Sequence, residues 1–331
     1  MHLPGGNAPM WFTLRLPSSP APSPGALIIA RPRSCTASFQ HLVQSRRGFL
    51  KRVFARWLTA LAAIACSFAF SLSAFAADLV FAVTEGVTYQ ATNKEIQARF
   101  QPLAEAISKA LRRPVRTVVV DTYQALREGL ERQDFDLAFV HPAHVALGEI
   151  KAGKYRSIAW TSGFTDYTVS LLMKADQPFT TLEDLRGRTV VSPDPDSITA
   201  VMLRAMLRDG KFKPGDVKII TTRYQDAVPF YVENGFAQSG ATAAKSVIQA
   251  WTASGGKVLV TSRPMPIKQV IASTKLSQDE TERIRGLLLS LSRSEAGAPI
   301  LAATGYKGFV SPNADVEQRA ITWLGEDLSS R

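Results

Sequence analysis

Asp78–Arg331 contains no cysteine, and Met1–Ala77 contains no acidic residue. Because Cys35 and Cys66 both precede Asp78, disulfides, thiolate metal sites and a cysteine nucleophile are excluded from the larger part of the chain. The second absence accounts for the charge. Of the formal net charge of +11, eight basic residues without a counter-charge lie in the first 77 residues, while the remainder holds thirty-one basic against twenty-eight acidic residues. The basic excess therefore belongs to the leader, and nucleic acid is not an expected partner. Histidine is scarce, with only His141 and His144 in the body. The sequence also lacks G-x-S-x-G, H-E-x-x-H and G-x-G-x-x-G, and the G-x-x-x-x-G-K at Gly148–Lys154 is followed by Tyr155 and not by the Ser or Thr of a P-loop. The body is read as neither an enzyme nor the holder of a cofactor.

Met1–Gln44 carries seven prolines, many serines and no hydrophobic periodicity, a composition that cannot bury enough apolar surface to order itself. It is expected to be a disordered extension, and a true start near Leu42 or Val43 would account for it. The next segment, residues 45–77, runs from Ser45-Arg46-Arg47-Gly48-Phe49-Leu50-Lys51 through an apolar stretch to Ala74-Phe75-Ala76. Basic, apolar and small-residue segments in that order are those of a secretory signal. The arginine pair followed by Phe-Leu-Lys resembles a twin-arginine export signal, which implies a periplasmic destination. A membrane anchor is the rival reading, since about 20 apolar residues span a bilayer. The Ala and Ser content and the cleavage-like site favour removal.

From Asp78 onward the apolar pattern switches repeatedly between strand and helix. Leu79–Thr84 and Val115–Val120 read as strands; Ile96, Phe100, Leu103, Ile107 and Leu111 have helical spacing over Asn93–Arg112. Thr122 caps an expected helix at Tyr123–Arg132, and Asp136–Val140 is a further buried strand. Strands are expected at Arg156–Trp160, Tyr167–Met173, Arg188–Ser192, Val217–Thr221 and Lys257–Thr261. Helices are expected at Ser197–Asp209, Asp226–Asn234 and Thr242–Ser254. Such alternation predicts an α/β fold with parallel sheets covered by helices. After Ser277, whose spacing to Glu280 fits a capping box, helices dominate.

Several segments together resemble a known family. They are Phe-Ala-Val-Thr-Glu-Gly-Val near the start, Asp136–Leu147, Thr165–Ala200 with its Thr-Leu-Glu-Asp-Leu-Arg-Gly-Arg run, Tyr224–Val228 and Glu233–Thr242. They are similar to the phosphate, phosphite and phosphonate substrate-binding proteins of ABC importers, of which this chain would be a divergent member. The resemblance implies a two-lobed type 2 periplasmic binding fold, a central sheet in each lobe, that closes on its ligand by hinge motion. It places the crossovers near Gly163–Asp166 and Ser262–Pro266. Lobe one is then residues 78–165 plus 264–331, and lobe two is 166–263.

The anion site expected from this resemblance centres on Ser197 and Thr199, where a strand gives way to a helix whose N-terminus offers free N–H groups and partial positive charge. Ser197 alone could equally be a helix cap. Where the family has D-P-x-S-T-S-G, this chain has Asp194-Pro195-Asp196-Ser197-Ile198-Thr199-Ala200, which loses the middle hydroxyl. Tyr167 matches the family's crossover tyrosine, either as a ligand donor or in a structural bond. The family's S-H-D-A becomes Tyr224-Gln225-Asp226-Ala227, which puts a neutral amide in place of an imidazole. At Ala237-Gln238-Ser239-Gly240 a family carboxylate is missing, so an ammonium-bearing ligand is disfavoured. His141 is a candidate donor at the cleft, and Glu85 sits at its mouth. No metal is expected, because His141 and His144 have no matching carboxylate nearby in sequence. The expected partners are a small oxyanion and a membrane permease, or else a membrane signalling protein served by the same fold; the protein is expected to be a monomer.

Overall fold

The computed structural model describes residues 77–85 and 91–328. The expectations for the N-terminal extension and the export signal lie outside the described residues. Among the described residues no helix is long and apolar enough to cross a membrane. The described residues form one compact unit built on two sheets.

The first sheet begins with a parallel set. β1 (Leu79–Val83) lies between β2 (Val115–Val119) and β3 (Leu137–Val140), with Phe81 beside Thr117 and Leu137. The links between them are α1 (Asn93–Leu111) and α2 (Tyr123–Glu131), and β3 leads into α3 (Ala143–Lys151) and then β4 (Tyr155–Thr161). α1 starts where Thr92 and Glu95 cap each other reciprocally. Strand alternation sends Phe81 and Phe139 into the core against Phe100 and Leu103 of α1. Ala82, Ala138 and Val140 go to the opposite face, against Leu126, Leu130 and Val145.

The second sheet has the same plan. β6 (Thr189–Ser192) lies parallel between β7 (Lys218–Thr221) and β8 (Ser239–Thr242), and α4 (Ile198–Asp209) follows β6. α5 (Val228–Glu233) and α6 (Lys245–Ala253) cover the far face, where Val191, Val228, Val232 and Trp251 pack together. Gly240 on β8 is required there, because a Cβ would lie 2.4 Å from Val228 Cγ1.

Each sheet is mixed, which corrects the expectation of parallel sheets. β5 (Ser170–Met173) runs antiparallel to β8, and its other neighbour is β9 (Lys257–Thr261). In the first sheet β10 (Gln269–Ser273) runs antiparallel to both β3 and β4. The reason is topological. β5 and β10 are the first strands after the chain passes from one sheet to the other, so they enter from the end at which the helix-linked strands finish. The two passages, residues 162–169 and 262–268, lie side by side. Tyr167 and Met265 exchange backbone hydrogen bonds of 3.1 and 3.0 Å, and Ile267 N–H donates to Phe164 O at 3.0 Å. Gly163, at φ 81°, supplies a left-handed turn in the first passage.

After β10 come α7 (Gln278–Ser290), opened by the expected Ser277–Glu280 capping box, α8 (Gly297–Thr304), the short edge strand β11 (Phe309–Val310) and α9 (Ala314–Leu324). α9 and the 3₁₀ turn Gly325–Leu328 do not pack only on the first sheet's layers. Ile321, Trp323 and Leu324 join the core formed by Met202, Met206 and Val190 of the second half. Arg204 Nε donates to Asp327 at 2.6 Å, Arg208 also pairs with Asp327, and Trp323 Nε1 donates to Asp209 at 2.9 Å. The last helix thus fastens the two halves together along α4.

Candidate functional site

β1, β3, β6 and β8 all finish near the paired passages, and α3 and α4 begin there. Ser197 is the N-cap of α4: its Oγ accepts from Ala200 N–H at 3.2 Å. Only a residue with a short side-chain acceptor does this, and the Ser197 hydroxyl hydrogen remains available to a second partner. The first turn of α4 contains no acidic residue, so the partial positive charge of its N-terminus is not cancelled from within. Asp196, just outside the helix, is paired with Arg127 of α2 at 3.2 Å.

Thr199, fully buried, shares a 3.0 Å hydrogen bond with the Tyr167 phenol, which arrives from the first passage. Burial raises the Tyr167 pKa, and hydrogen bonds to Thr199 and Gln225 act against that rise. Gln225 is anchored from the other side: its Oε1 accepts from Ala243 N–H at 2.6 Å and from Thr242 Oγ1 at 3.2 Å, at the end of β8. Ser197, Thr199, Tyr167 and Gln225 are therefore brought together at one helix end. All are neutral. Such a group can hold an anion with hydroxyl and amide donors, the charge being balanced by the helix terminus.

The remaining expected residues are placed differently. Gln238 is not at this end. Its Oε1 accepts from Thr189 N–H at 2.9 Å, and its own N–H donates to Thr189 O, at the start of β6. α4 follows the other end of that strand, about 10 Å further on at 3.3 Å per residue. The inference drawn from a missing carboxylate at Gln238 loses its basis with it. Tyr224 is 37% exposed and lies beneath the Arg223 guanidinium, 5.2 Å from its ring centre, outside the hydroxyl group.

Glu85 does not face a cleft mouth. Its side chain is fully buried, held by Arg99 at 2.5 Å and by the Tyr306 hydroxyl. Tyr306 in turn accepts from Lys268 Nζ at 3.0 Å, and Lys268 lies over the Phe164 ring at 4.5 Å. Burial lowers the Lys268 pKa to about 8 in spite of the Glu85 carboxylate. The sequence reading missed Lys268. A lone charge within Ile267-Lys268-Gln269-Val270-Ile271-Ala272 was the available signal.

His141 is next to this cluster, on the side of the second passage. Its Nδ1 lies 3.1 Å from Ile267 O. A carbonyl only accepts, so the ring hydrogen is on Nδ1. Burial, followed by the positive charge of Lys268, pushes the His141 pKa down to about 4. The imidazole is thus neutral at pH 7, with an unprotonated Nε2. His144, in the first turn of α3, is 2% exposed, and neither ring nitrogen has a hydrogen-bond partner. Burial, then Arg127 and Arg204, holds its pKa near 3. Among the described residues no group of three or more His, Cys, Asp or Glu could hold a metal ion.

Comparison with known proteins places this arrangement. The chain resembles XAC2383 from Xanthomonas citri bound to ATP at a TM-score of 0.63 and 14% identity, covering 77% of this chain and 98% of that one. It resembles PhnD1 from Prochlorococcus marinus in complex with methylphosphonate at a TM-score of 0.54 and 15% identity, over 76% of this chain and 98% of that one. At these identities the likeness establishes the fold, the expected two-lobed type 2 periplasmic binding architecture. No curated protein sequence matches significantly. The profile of the family described as ABC transporter, phosphonate, periplasmic substrate-binding protein matches residues 86–316. The chain therefore belongs to the phosphonate-binding family of periplasmic substrate-binding proteins of ABC transporters.

Proposed function

We propose that this protein captures a small tetrahedral oxyanion of phosphonate, phosphite or phosphate type outside the cytoplasm and delivers it to an ABC permease. The observation that carries this reading is the convergence of Ser197, Thr199, Tyr167 and Gln225 on the N-terminus of α4. A helix end with neutral donors suits a tetrahedral anion that must later be released, because it supplies charge complementarity without a permanent ion pair. The phosphorus-containing ligands of XAC2383 and PhnD1 agree with it.

In this reading residues 78–165 with 264–331 form one lobe and 166–263 the other. Residues 162–169 and 262–268 act as the hinge, and residues 45–77 direct export by the twin-arginine route. Replacing Arg46 and Arg47 by lysine then stops export, because the guanidinium pair is not interchangeable with two ammonium groups.

A thermal-shift screen against phosphate, phosphite, alkyl phosphonates, alkyl sulfonates and ferric iron tests the ligand class. A ligand held only by the folded state stabilises it by about 2.7 kcal/mol at a hundredfold excess over Kd. Stabilisation by phosphorus oxyanions supports the proposal, and a response to iron or sulfonates alone refutes it.

A further inference from the structure

The fixed tautomer of His141 bears on which ionic form of an oxyanion this cleft accepts. The His141 backbone N–H donates to Thr84 O at 3.2 Å, and its ring donates from Nδ1 to Ile267 O at 3.1 Å. The first bond holds the residue beside the end of β1, and the second turns its ring against the second passage, the segment whose Met265 pairs with Tyr167. His141 and Tyr167 are therefore joined through the same two-stranded link, with Tyr167 turned toward Thr199 of α4. Among the described residues no group is bonded to Nε2, and the neutral ring leaves a lone pair there. An unprotonated oxygen placed against that lone pair is repelled, whereas a hydroxyl bonds to it. The opposing half of the site favours the same form, since a helix terminus balances only about half a unit of charge. A monoanion is matched better than a dianion.

We propose that His141 Nε2 accepts a hydrogen bond from a protonated oxygen of the bound ligand, so that the cleft takes the singly protonated form of a phosphorus oxyanion and rejects sulfonates. This rests on the oxyanion reading above. Sulfonates share the tetrahedral shape but carry no proton near neutral pH, so they meet the lone pair with a bare oxygen. Among the described residues the titratable and charged groups around His141 are Lys268 from the second passage, His144 from α3 with Arg127 and Arg204 beyond it, and Glu85 just after β1 with its partner Arg99 of α1. Lys268, whose pKa is lowered to about 8, loses its proton in the same pH range as the ligand. The test must separate its proton from the ligand's.

Calorimetric titrations with phosphite, methylphosphonate and methanesulfonate from about pH 5.5 to about pH 9 span the loss of a phosphoryl group's second proton. The affinity of each phosphorus ligand falls by up to about tenfold per pH unit above that ligand's own second pKa, so the two midpoints differ as the ligand pKa values differ. Methanesulfonate binds at least about tenfold more weakly than methylphosphonate at pH 7, a gap of about 1.4 kcal/mol. His141→Gln, whose amide can turn an N–H toward the ligand, narrows this gap and flattens the pH dependence.

A midpoint common to both ligands would assign the effect to a protein group such as Lys268 and overturn the inference. Affinity that rises with pH, or a sulfonate gap unchanged in the variant, would overturn it equally. Because the midpoint comparison uses the unaltered protein, it decides the matter even if His141→Gln does not fold. If none of the phosphorus ligands binds at any pH, the oxyanion reading itself fails and takes this inference with it.

Discussion

Tyr167, carried by the passage between the sheets, and Thr199, in the first turn of α4, share a 3.0 Å hydrogen bond. That bond ties the first passage to the helix end proposed to receive the anion. It orients two hydroxyls at once, because whichever one donates to the other leaves the second free to donate outward.

Tyr167→Phe removes one member of this pair while keeping the ring. Thr199, fully buried, then loses its partner. Stability falls by about 1 kcal/mol, and oxyanion affinity falls about tenfold. Chemical denaturation and calorimetry read the two effects separately. An unchanged affinity would remove Tyr167 from the site and leave it a structural bond of the first passage.

Ser197→Ala tests a residue with two tasks. As N-cap it stabilises α4, so its loss costs about 1 kcal/mol of folding free energy. As a donor to an anion its hydroxyl contributes roughly 1.5 to 3 kcal/mol to binding. A variant destabilised to this extent, with affinity lowered about tenfold or more, is expected. Destabilisation without any change in affinity would leave only the cap.

Asp327→Asn tests the C-terminal fastening. Two guanidiniums converge on the buried Asp327 carboxylate, those of Arg204 and Arg208, each about one third exposed at 32% and 31%. Removing one partner of a buried ion pair costs about 3 to 5 kcal/mol, and the exposure of both arginines reduces this to about 2 kcal/mol. The urea midpoint should shift accordingly. A shift below about 0.5 kcal/mol would mean that the contact is a solvated surface pair.

His144 governs behaviour in acid. Its pKa in the folded state is about 3, against about 6.5 when unfolded, so between these values the unfolded chain binds the extra proton. Stability is therefore complete above about pH 6.5 and declines as pH falls toward 3, by up to about 1.4 kcal/mol per unit. His141, with a pKa of about 4, adds to the decline over the upper part of that range. His144→Leu keeps stability at pH 7, since the ring has no hydrogen-bond partner to lose, and makes the acid limb shallower. An acid limb unchanged in the variant would contradict this.

Which parts of this architecture the sequence displays depends on how local their causes are. The helix at Asn93 and the capping box at Ser277 are set by residues within one turn, and both are legible. β8 is not, because Ser239-Gly240-Ala241-Thr242 has no apolar signature; its small residues answer to Val228 on α5. β10 escaped because its place depends on pairing with β3 and β4, more than a hundred residues earlier in the chain. The site divides in the same way. Ser197, Thr199 and Tyr167 follow from family motifs, whereas Glu85 finds its partners 14 residues away at Arg99 and 221 residues away at Tyr306. No spacing rule reaches that far. His141 was legible as a polar residue at a strand end, but its role depends on which atom faces Ile267 O.

Calorimetric titration of the purified protein with methylphosphonate, phosphite and phosphate, repeated on Ser197→Ala and Tyr167→Phe, tests oxyanion capture at the α4 N-terminus most directly. One-to-one binding of at least one of these ligands is expected, at about micromolar affinity or tighter, which corresponds to about −8 kcal/mol, and each substitution weakens it about tenfold. Failure of every phosphorus oxyanion to bind, or binding that neither substitution alters, would contradict it.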